Sequence, residues 1–207
     1  MEYASADPSV VKSIRQRVLL NAWLRALRRP NALPSLADFD PDAGSDELAD
    51  MMGFDVEGDH AAARFVITHE GARLTATYGS GHVALDKRTN RYLDDAIGPD
   101  RYARVVACYR ECVARRRPTY SVTLVQDADG KEVSYERLLL PFGNAGTVTQ
   151  IVGSYKAISI EGGFKVQNLM GLRPMAAPTV VIHAVIDREA ARRPPGVRAS
   201  EDIIEAK

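Results

Sequence analysis

The chain has 207 residues, of which 45% are hydrophobic and 26% are charged, and its 27 basic and 27 acidic side chains cancel to zero net charge. This length suits one domain of ordinary size with appendages, and the composition is sufficient for a buried core. Because no overall field draws a neutral protein to nucleic acid or membranes, the composition disfavours partners recognised through bulk charge.

The cysteine content indicates a reducing compartment. Cys108 and Cys112 are the two cysteines of the chain, and their spacing of four places them on one helical face, where a disulfide is geometrically disfavoured. Two thiols are too few for a metal site. The N-terminus lacks an apolar signal core, and no run approaches the roughly 20 apolar residues that a spanning helix requires. We therefore expect a cytoplasmic protein without a membrane span.

The first organised segment is predicted to be an amphipathic helix from Ser9 to Arg29, with Ser9 as its cap. Its basic face suggests attachment to nucleic acid or anionic lipid, but in a neutral chain a solvated face is the favoured interpretation. Its apolar stripe would pack on the domain or on a second helix, and we predict a homodimer contact there. The candidate interface residues are Val11, Ile14, Val18 and Trp23.

A turn-rich connector is predicted to follow over residues 33–50, and then an antiparallel hairpin. Alternating apolar residues predict strands over 48–56 and 62–68, joined by a short turn at Asp59. A short helix over 70–78, an irregular stretch over 79–90 and a helical turn over 91–97 complete this half.

The second half is predicted to be one long helix followed by strands. The helix opens at Pro99 and stops before Pro118. Strands are expected over 120–125, 131–141 and 147–158, connected by turns typical of antiparallel neighbours. Beyond residue 161 the chain is rich in Gly and Pro; residues 179–186 are an extra strand or a partner-binding segment, and 197–207 a frayed tail.

The most informative stretch of the chain is the run from Tyr135 to Phe142, which follows Gly130 and lies in the second of the three strands that end the order strand, strand, short helices, long helix and three strands. This order, over about residues 20 to 155, resembles a PAS domain, and in its motifs the chain is similar to the PAS-like family common in alphaproteobacteria. Family members usually have a Leu-Thr-Gly phrase where this chain has Gly79 to Leu85. The motifs that match are Trp23 with Arg25, Leu33-Pro34, Asp40-Pro41, Phe54-Asp55-Val56, Arg64-Phe65 with Gly71, Tyr109 to Pro118, and Tyr135-Glu136-Arg137-Leu138-Leu139-Leu140-Pro141.

The resemblance implies an α+β fold, with a PAS-like antiparallel sheet flanked by helices. The expected organisation is an N-terminal amphipathic helix over 1–32, a PAS-like domain over 33–160 and a partly disordered C-terminal extension over 161–207. The implied function is a sensory or signalling module, which binds a small ligand or a partner protein and has no catalytic effector.

A ligand cavity in such a fold would lie between the sheet and its helical flank, although residues there are more often plain core. Haem would require an axial histidine, for which His82 is best placed, and flavin chemistry would require a cysteine elsewhere; the cofactor is left unassigned. No catalytic constellation is present, so we expect a non-enzyme. The alternatives are a ligand-free interaction adaptor or homodimerisation module and, with less support, attachment through the basic helix. The candidate cavity residues are Phe65, Tyr78, His82, Tyr109, Cys112, Val122, Tyr135 and Leu139.

Overall fold

The protein is a mixed α+β structure in which helices cover both faces of one sheet. The computed structural model describes residues 3–28, 32–41, 45–77, 84–126, 130–159 and 179–187. The helices in these ranges are α1 (Ile14–Ala26), α2 (Ser45–Leu48), α3 (Ala72–Thr77), α4 (Leu93–Ile97) and α5 (Pro99–Arg115). The strands are β1 (Ala4–Ala6), β2 (Met51–Glu57), β3 (Arg64–Glu70), β4 (Arg91–Tyr92), β5 (Thr119–Gln126), β6 (Glu132–Asn144), β7 (Thr147–Ser159) and β8 (Thr179–Ile186).

The strands form a sheet in the order β1-β8-β5-β6-β7-β2-β3-β4. Its neighbours are antiparallel except for β1 and β8, which run parallel at one edge. Two hydrophobic clusters form on opposite faces: α3, α4 and α5 cover one face, and α1 covers the other. Because β6 lies in the middle with both faces covered, its sequence is a nearly continuous buried run rather than an alternating one.

The N-terminal helix differs from the prediction at both ends. It begins at Ile14 because the Ser13 hydroxyl accepts a hydrogen bond from the main-chain N–H of Gln16, whereas Val11 has extended backbone. The expectation that Ser9 is its cap is wrong: Ser9 lies in a short 3₁₀ turn over Pro8–Val10, which Asp7 caps. The helix ends at Ala26, and Leu27 is extended.

The hairpin and the three strands after α5 are confirmed, with bounds shifted by a few residues. The predicted helical turn over 91–97 begins instead with strand β4, which pairs with β3 through Val66 and Ile67, and α4 starts only at Leu93. The segment left open between a strand and a partner-binding element is a strand: β8 pairs with β5 along its length. The remainder of the predicted extension, 161–178 and 188–207, lies outside the described residues.

Candidate functional site

The Tyr135-Glu136-Arg137 motif lies in the middle of β6, and consecutive side chains alternate between the faces of the sheet. Tyr135 and Arg137 lie on the face covered by α5, whereas Glu136 lies on the face covered by α1. All three are buried. Because buried charged groups require hydrogen-bonding partners, Glu136 and Arg137 each mark a place where polar chemistry enters the core.

On the α1 face, Glu136 is paired with a buried tyrosine. The Tyr120 hydroxyl donates to Oε2 of Glu136 at 3.0 Å and accepts a hydrogen bond from the main-chain N–H of Lys12 at 3.2 Å. Burial raises the pKa of Tyr120 above its ordinary value, and the nearby Glu136 adds to the effect. The phenol therefore stays protonated and joins the segment before α1 to strands β5 and β6.

A second contact ties α1 to the same strand. The indole Nε1 of Trp23 donates to the main-chain oxygen of Pro141 at 2.7 Å, in a buried position. Pro141 lies beyond Leu139, the last residue of β6 that pairs with β5, so a proline is tolerated there without loss of a ladder bond to that strand. The tryptophan of the first motif and the proline of the closing motif are therefore in direct contact.

On the α5 face, aromatic rings fill the space between helix and sheet. The Tyr109 ring packs against Phe54 at 5.3 Å and against Phe65 at 5.1 Å between ring centroids. Its hydroxyl lies 2.6 Å from the hydroxyl of Tyr155, whose ring also faces Tyr135. Four of the candidate cavity residues, Phe65, Tyr109, Tyr135 and Leu139, are brought together here, as is Cys112 on α5.

The remaining sequence candidates lie elsewhere. Val122 belongs to the cluster on the opposite face, against α1, so it does not line the same space as Tyr109. Tyr78 and His82 lie outside the described residues.

The four candidate interface residues divide into two pairs. Val11 and Trp23 are buried in the chain's own core, whereas Ile14 is 72% exposed and Val18 41% exposed. Only the second pair of side chains presents apolar surface to a partner.

Close to the aromatic cluster, four polar side chains converge at the β5–β8 side of the sheet. Nη1 of Arg137 donates a hydrogen bond to Sγ of Cys108 at 3.4 Å, and its guanidinium carbon lies 5.8 Å from the centroids of the Tyr109 and Tyr135 rings. His183, on β8, stacks on the ring of Tyr3 with centroids 4.6 Å apart. Both His183 and Tyr3 are polar neighbours of the Cys108 thiol. We call Cys108, Arg137, His183 and Tyr3 the thiol cluster.

The electrostatics of the thiol cluster favour an ionised sulfur. Burial opposes ionisation of Cys108, but the hydrogen bond with His183, the charge of Arg137 and the Tyr3 hydroxyl outweigh it and lower the pKa to about 7. The Tyr3 hydroxyl oxygen is itself buried without a well-formed hydrogen bond among the described residues. Its pKa is raised, first by burial and then by the neighbouring sulfur.

The sequence-based selection of site residues missed the thiol cluster. One local signal was present: an arginine at an inward-facing position of an apolar strand, two residues from Tyr135 and from Leu139. The contributions of Tyr3 and His183 could not be found from local pattern, because they come from opposite ends of the chain and meet only through the pairing of β1 with β8.

A network of ion pairs links the helices to the sheet at another point. Asp50 accepts hydrogen bonds from Arg73 Nε at 2.7 Å and from Lys156 Nζ at 2.6 Å, and Lys156 also lies 3.2 Å from Glu47. Burial raises the pKa of Asp50, but the hydrogen bonds from Arg73 and Lys156 outweigh it, so the net shift is downward.

Comparison with protein-family models gives no match to the chain, and comparison with curated proteins gives none either. Within the described ranges, no helix combines the length and the apolar character required to cross a bilayer. In the same ranges, no group of three or more His, Cys, Asp or Glu side chains is arranged to hold a metal ion.

Proposed function

We propose that the chain is a PAS-like sensory or signalling module that binds a small ligand or a partner protein and relays the change by interaction. The observation that supports this most strongly is the order of five strands within the sheet, β3-β2-β7-β6-β5. If these five strands alone are numbered along the chain, leaving out the two-residue strand β4, their order in the sheet is second, first, fifth, fourth, third. The helices between the second and third of them cover one face, as in PAS domains. The proposed function comes from analogy with this fold. Because one fold hosts many functions, it needs the direct test given below.

The packing of the α5 face favours a partner over a bulky cofactor. In PAS-like proteins the ligand lies between sheet and helices, and here Tyr109 fills that space in contact with Phe54, Phe65 and Tyr155. A ring system such as haem would have to displace these side chains, and refilling a close-packed core is unfavourable. A small ligand or a change in packing relayed to a partner is compatible with this arrangement.

The contact for a second copy of the chain is proposed on α1. Ile14 and Val18 are four residues apart, share one helical face and are exposed, whereas the opposite face of α1 holds Trp23 against the sheet. The arginines of the N-terminal segment support the solvated-face interpretation, because Arg15 of α1 lies 3.7 Å from Glu47 and Arg28, which follows the end of α1, forms a 2.7 Å ion pair with Asp38. Attachment to nucleic acid is therefore the least supported alternative.

Native mass spectrometry with an absorbance spectrum, on protein purified without added ligand, tests the proposal. A retained small molecule would support ligand sensing, and an apo dimer would support relay by self-association. The double variant Ile14→Asp/Val18→Asp should then be monomeric in sedimentation, whereas Ile158→Asp, on an exposed apolar residue of β7, should leave the dimer intact. An apo monomer at every concentration would contradict both the ligand and the homodimer forms of the proposal.

A further inference from the structure

The two cysteines of the chain lie one helical turn apart on α5, yet their surroundings are opposite. Cys112 is enclosed by core and its sulfur contacts the main-chain oxygen of Leu139 at 3.8 Å, so burial raises its pKa above the ordinary value. Cys108 is buried beside Arg137, which donates a hydrogen bond and supplies positive charge to the sulfur, and His183 and Tyr3 are its further polar neighbours. A thiol packed as a small hydrophobe does not require such partners, whereas a nucleophilic thiolate does.

We propose that Cys108 is a peroxide-reactive thiolate, held by Arg137 and His183 and oxidised by hydrogen peroxide to a sulfenic acid. This modification site goes beyond the proposed sensory function, and it does not depend on that function.

The reaction balances without a further reactant. The Cys108 thiol loses its proton to solvent, and the thiolate attacks one oxygen of hydrogen peroxide. An S–O bond forms as the O–O bond breaks, the sulfur is oxidised by two electrons, and the second oxygen leaves as hydroxide. That hydroxide takes a proton from solvent and departs as water, leaving Cys–SOH.

The surroundings of the sulfur select a small oxidant. Cys108 is 5% exposed, and its neighbours Tyr3 and His183 are half-buried. Hydrogen peroxide is close to water in size and polarity, whereas a lipid hydroperoxide would have to open the sheet edge. The charged and titratable groups that face the site are Arg137 from β6, His183 from β8, Tyr3 from the N-terminal segment, and Cys112 and Glu111 from α5.

The sulfenic acid is expected to persist rather than form a disulfide within the chain. Cys112 is the only other thiol of the chain, it lies at the same helical face four residues away, and burial keeps it protonated. Both the geometry and the protonation state oppose its attack on Cys108. Reduction would therefore require an external thiol.

The pH dependence of the reaction separates a native-state thiolate from a thiol that reacts only after unfolding. The experiment uses the full chain with Cys112→Ser, so that Cys108 is the only thiol, and follows trapping of the sulfenic acid by a cyclic 1,3-diketone after addition of hydrogen peroxide. The rate should rise with pH and level off, with its midpoint near the folded pKa of about 7. A midpoint near 8.5, the ordinary value for a free cysteine, would overturn the proposal.

The rate at a single pH is a weaker test. At pH 7 about half of Cys108 is ionised, against about 3% of an ordinary thiol, which is roughly a 15-fold gain in thiolate. The lower basicity of the sulfur reduces its nucleophilicity about 5-fold, so the net gain is only about 3-fold.

Matched variants assign the effect to the cluster. Cys108→Ser, which leaves only Cys112, should be unreactive until the protein is denatured; trapping at Cys112 in the native protein at the same rate would refute the assignment. His183→Gln, at a half-buried position of β8, should move the midpoint upward because it removes a hydrogen bond that favours the thiolate. An unchanged midpoint in a folded His183→Gln protein would exclude a role for the imidazole.

Discussion

The buried tyrosine–glutamate pair on the α1 face has an exposed counterpart in the same protein. We expect removal of the tyrosine hydroxyl to lower the free energy of unfolding by very different amounts in the two pairs. Tyr120→Phe deletes the donor to Oε2 of Glu136 and the acceptor of the Lys12 N–H, both within the core. Tyr92→Phe deletes a hydrogen bond to Oε2 of Glu57 that is shorter, at 2.8 Å, but exposed. Bond length alone would rank the second variant as the more damaging.

Burial reverses that ranking. A hydrogen bond to a carboxyl group contributes about 1.5–3 kcal/mol and one to a main-chain amide about 1 kcal/mol, so Tyr120→Phe should lower the free energy of unfolding by about 2–4 kcal/mol. For a chain of this size that corresponds to a fall in Tm of roughly 4–16 °C. At position 92 water replaces the lost partner, so the loss should be much smaller.

Urea unfolding of both variants at pH 7, followed by circular dichroism, measures the difference. The double variant Tyr120→Phe/Glu136→Leu adds a check, because removal of the unpaired carboxyl group should make the double loss smaller than the sum of the two single losses. Equal destabilisation by Tyr120→Phe and Tyr92→Phe would refute the argument that burial, rather than the presence of the bond, determines its contribution.

Two further predictions concern the contacts that fix the helices to the sheet. Trp23→Phe removes the donor to the Pro141 oxygen and leaves a small cavity, and should cost about 2–4 kcal/mol in urea unfolding; a loss below about 0.5 kcal/mol would show that the indole hydrogen bond does not hold α1. Asp50→Asn should lower stability at neutral pH by about 1–3 kcal/mol, while Asp55→Asn, an exposed position bonded to Gln150, serves as the matched control. Because the folded pKa of Asp50 lies below its unfolded value, this stabilisation is fully present above about pH 4 and disappears as the pH falls through the folded pKa, so the wild type and Asp50→Asn should converge in acid unfolding. Curves that stay parallel down to the lowest pH would contradict the role of Asp50.

The sequence specified most of the sheet because its strands carry local signals. The turn after Glu57 and the turn before Thr147 contain glycines with positive φ, Gly58 and Gly146, and such turns mark strand ends in any sequence. The start of α1 was predicted less well, because Ser9 and Ser13 are both suitable caps and only the burial of Val11 on the sheet decides between them. Strand β4 was missed because two residues are too few to carry a periodic pattern.

The candidate site was harder to predict than the fold. Residues on α5 and its facing strands could be chosen because a helix stripe and an alternating strand reveal which side chains point inward, and Tyr109, Tyr135 and Leu139 do meet. Val122 was assigned to the same space, but both faces of β5 are buried, so the polar residues that alternate with it, Thr119 and Ser121, do not mark a solvent-facing side. Strand alternation places Arg137 on the same face as Tyr135 and Leu139, but its partner Cys108 could not be identified from the strand because that contact depends on the packing of α5.

The parallel pair of β1 and β8 has a consequence for the dynamics of the molecule. Ala4 pairs with Ala184, so this edge joins segments from opposite ends of the described chain, and β1 contributes only three residues to it. Pairs that close long loops with few contacts form late in folding and open first in local fluctuations, whereas β6, paired on both sides, should exchange its amide hydrogens only on global unfolding. Tyr3 and His183 lie in this edge, so the fluctuation that frees it would also admit solvent to the sulfur of Cys108. Opening of this short edge would thereby set how often the thiol meets solvent.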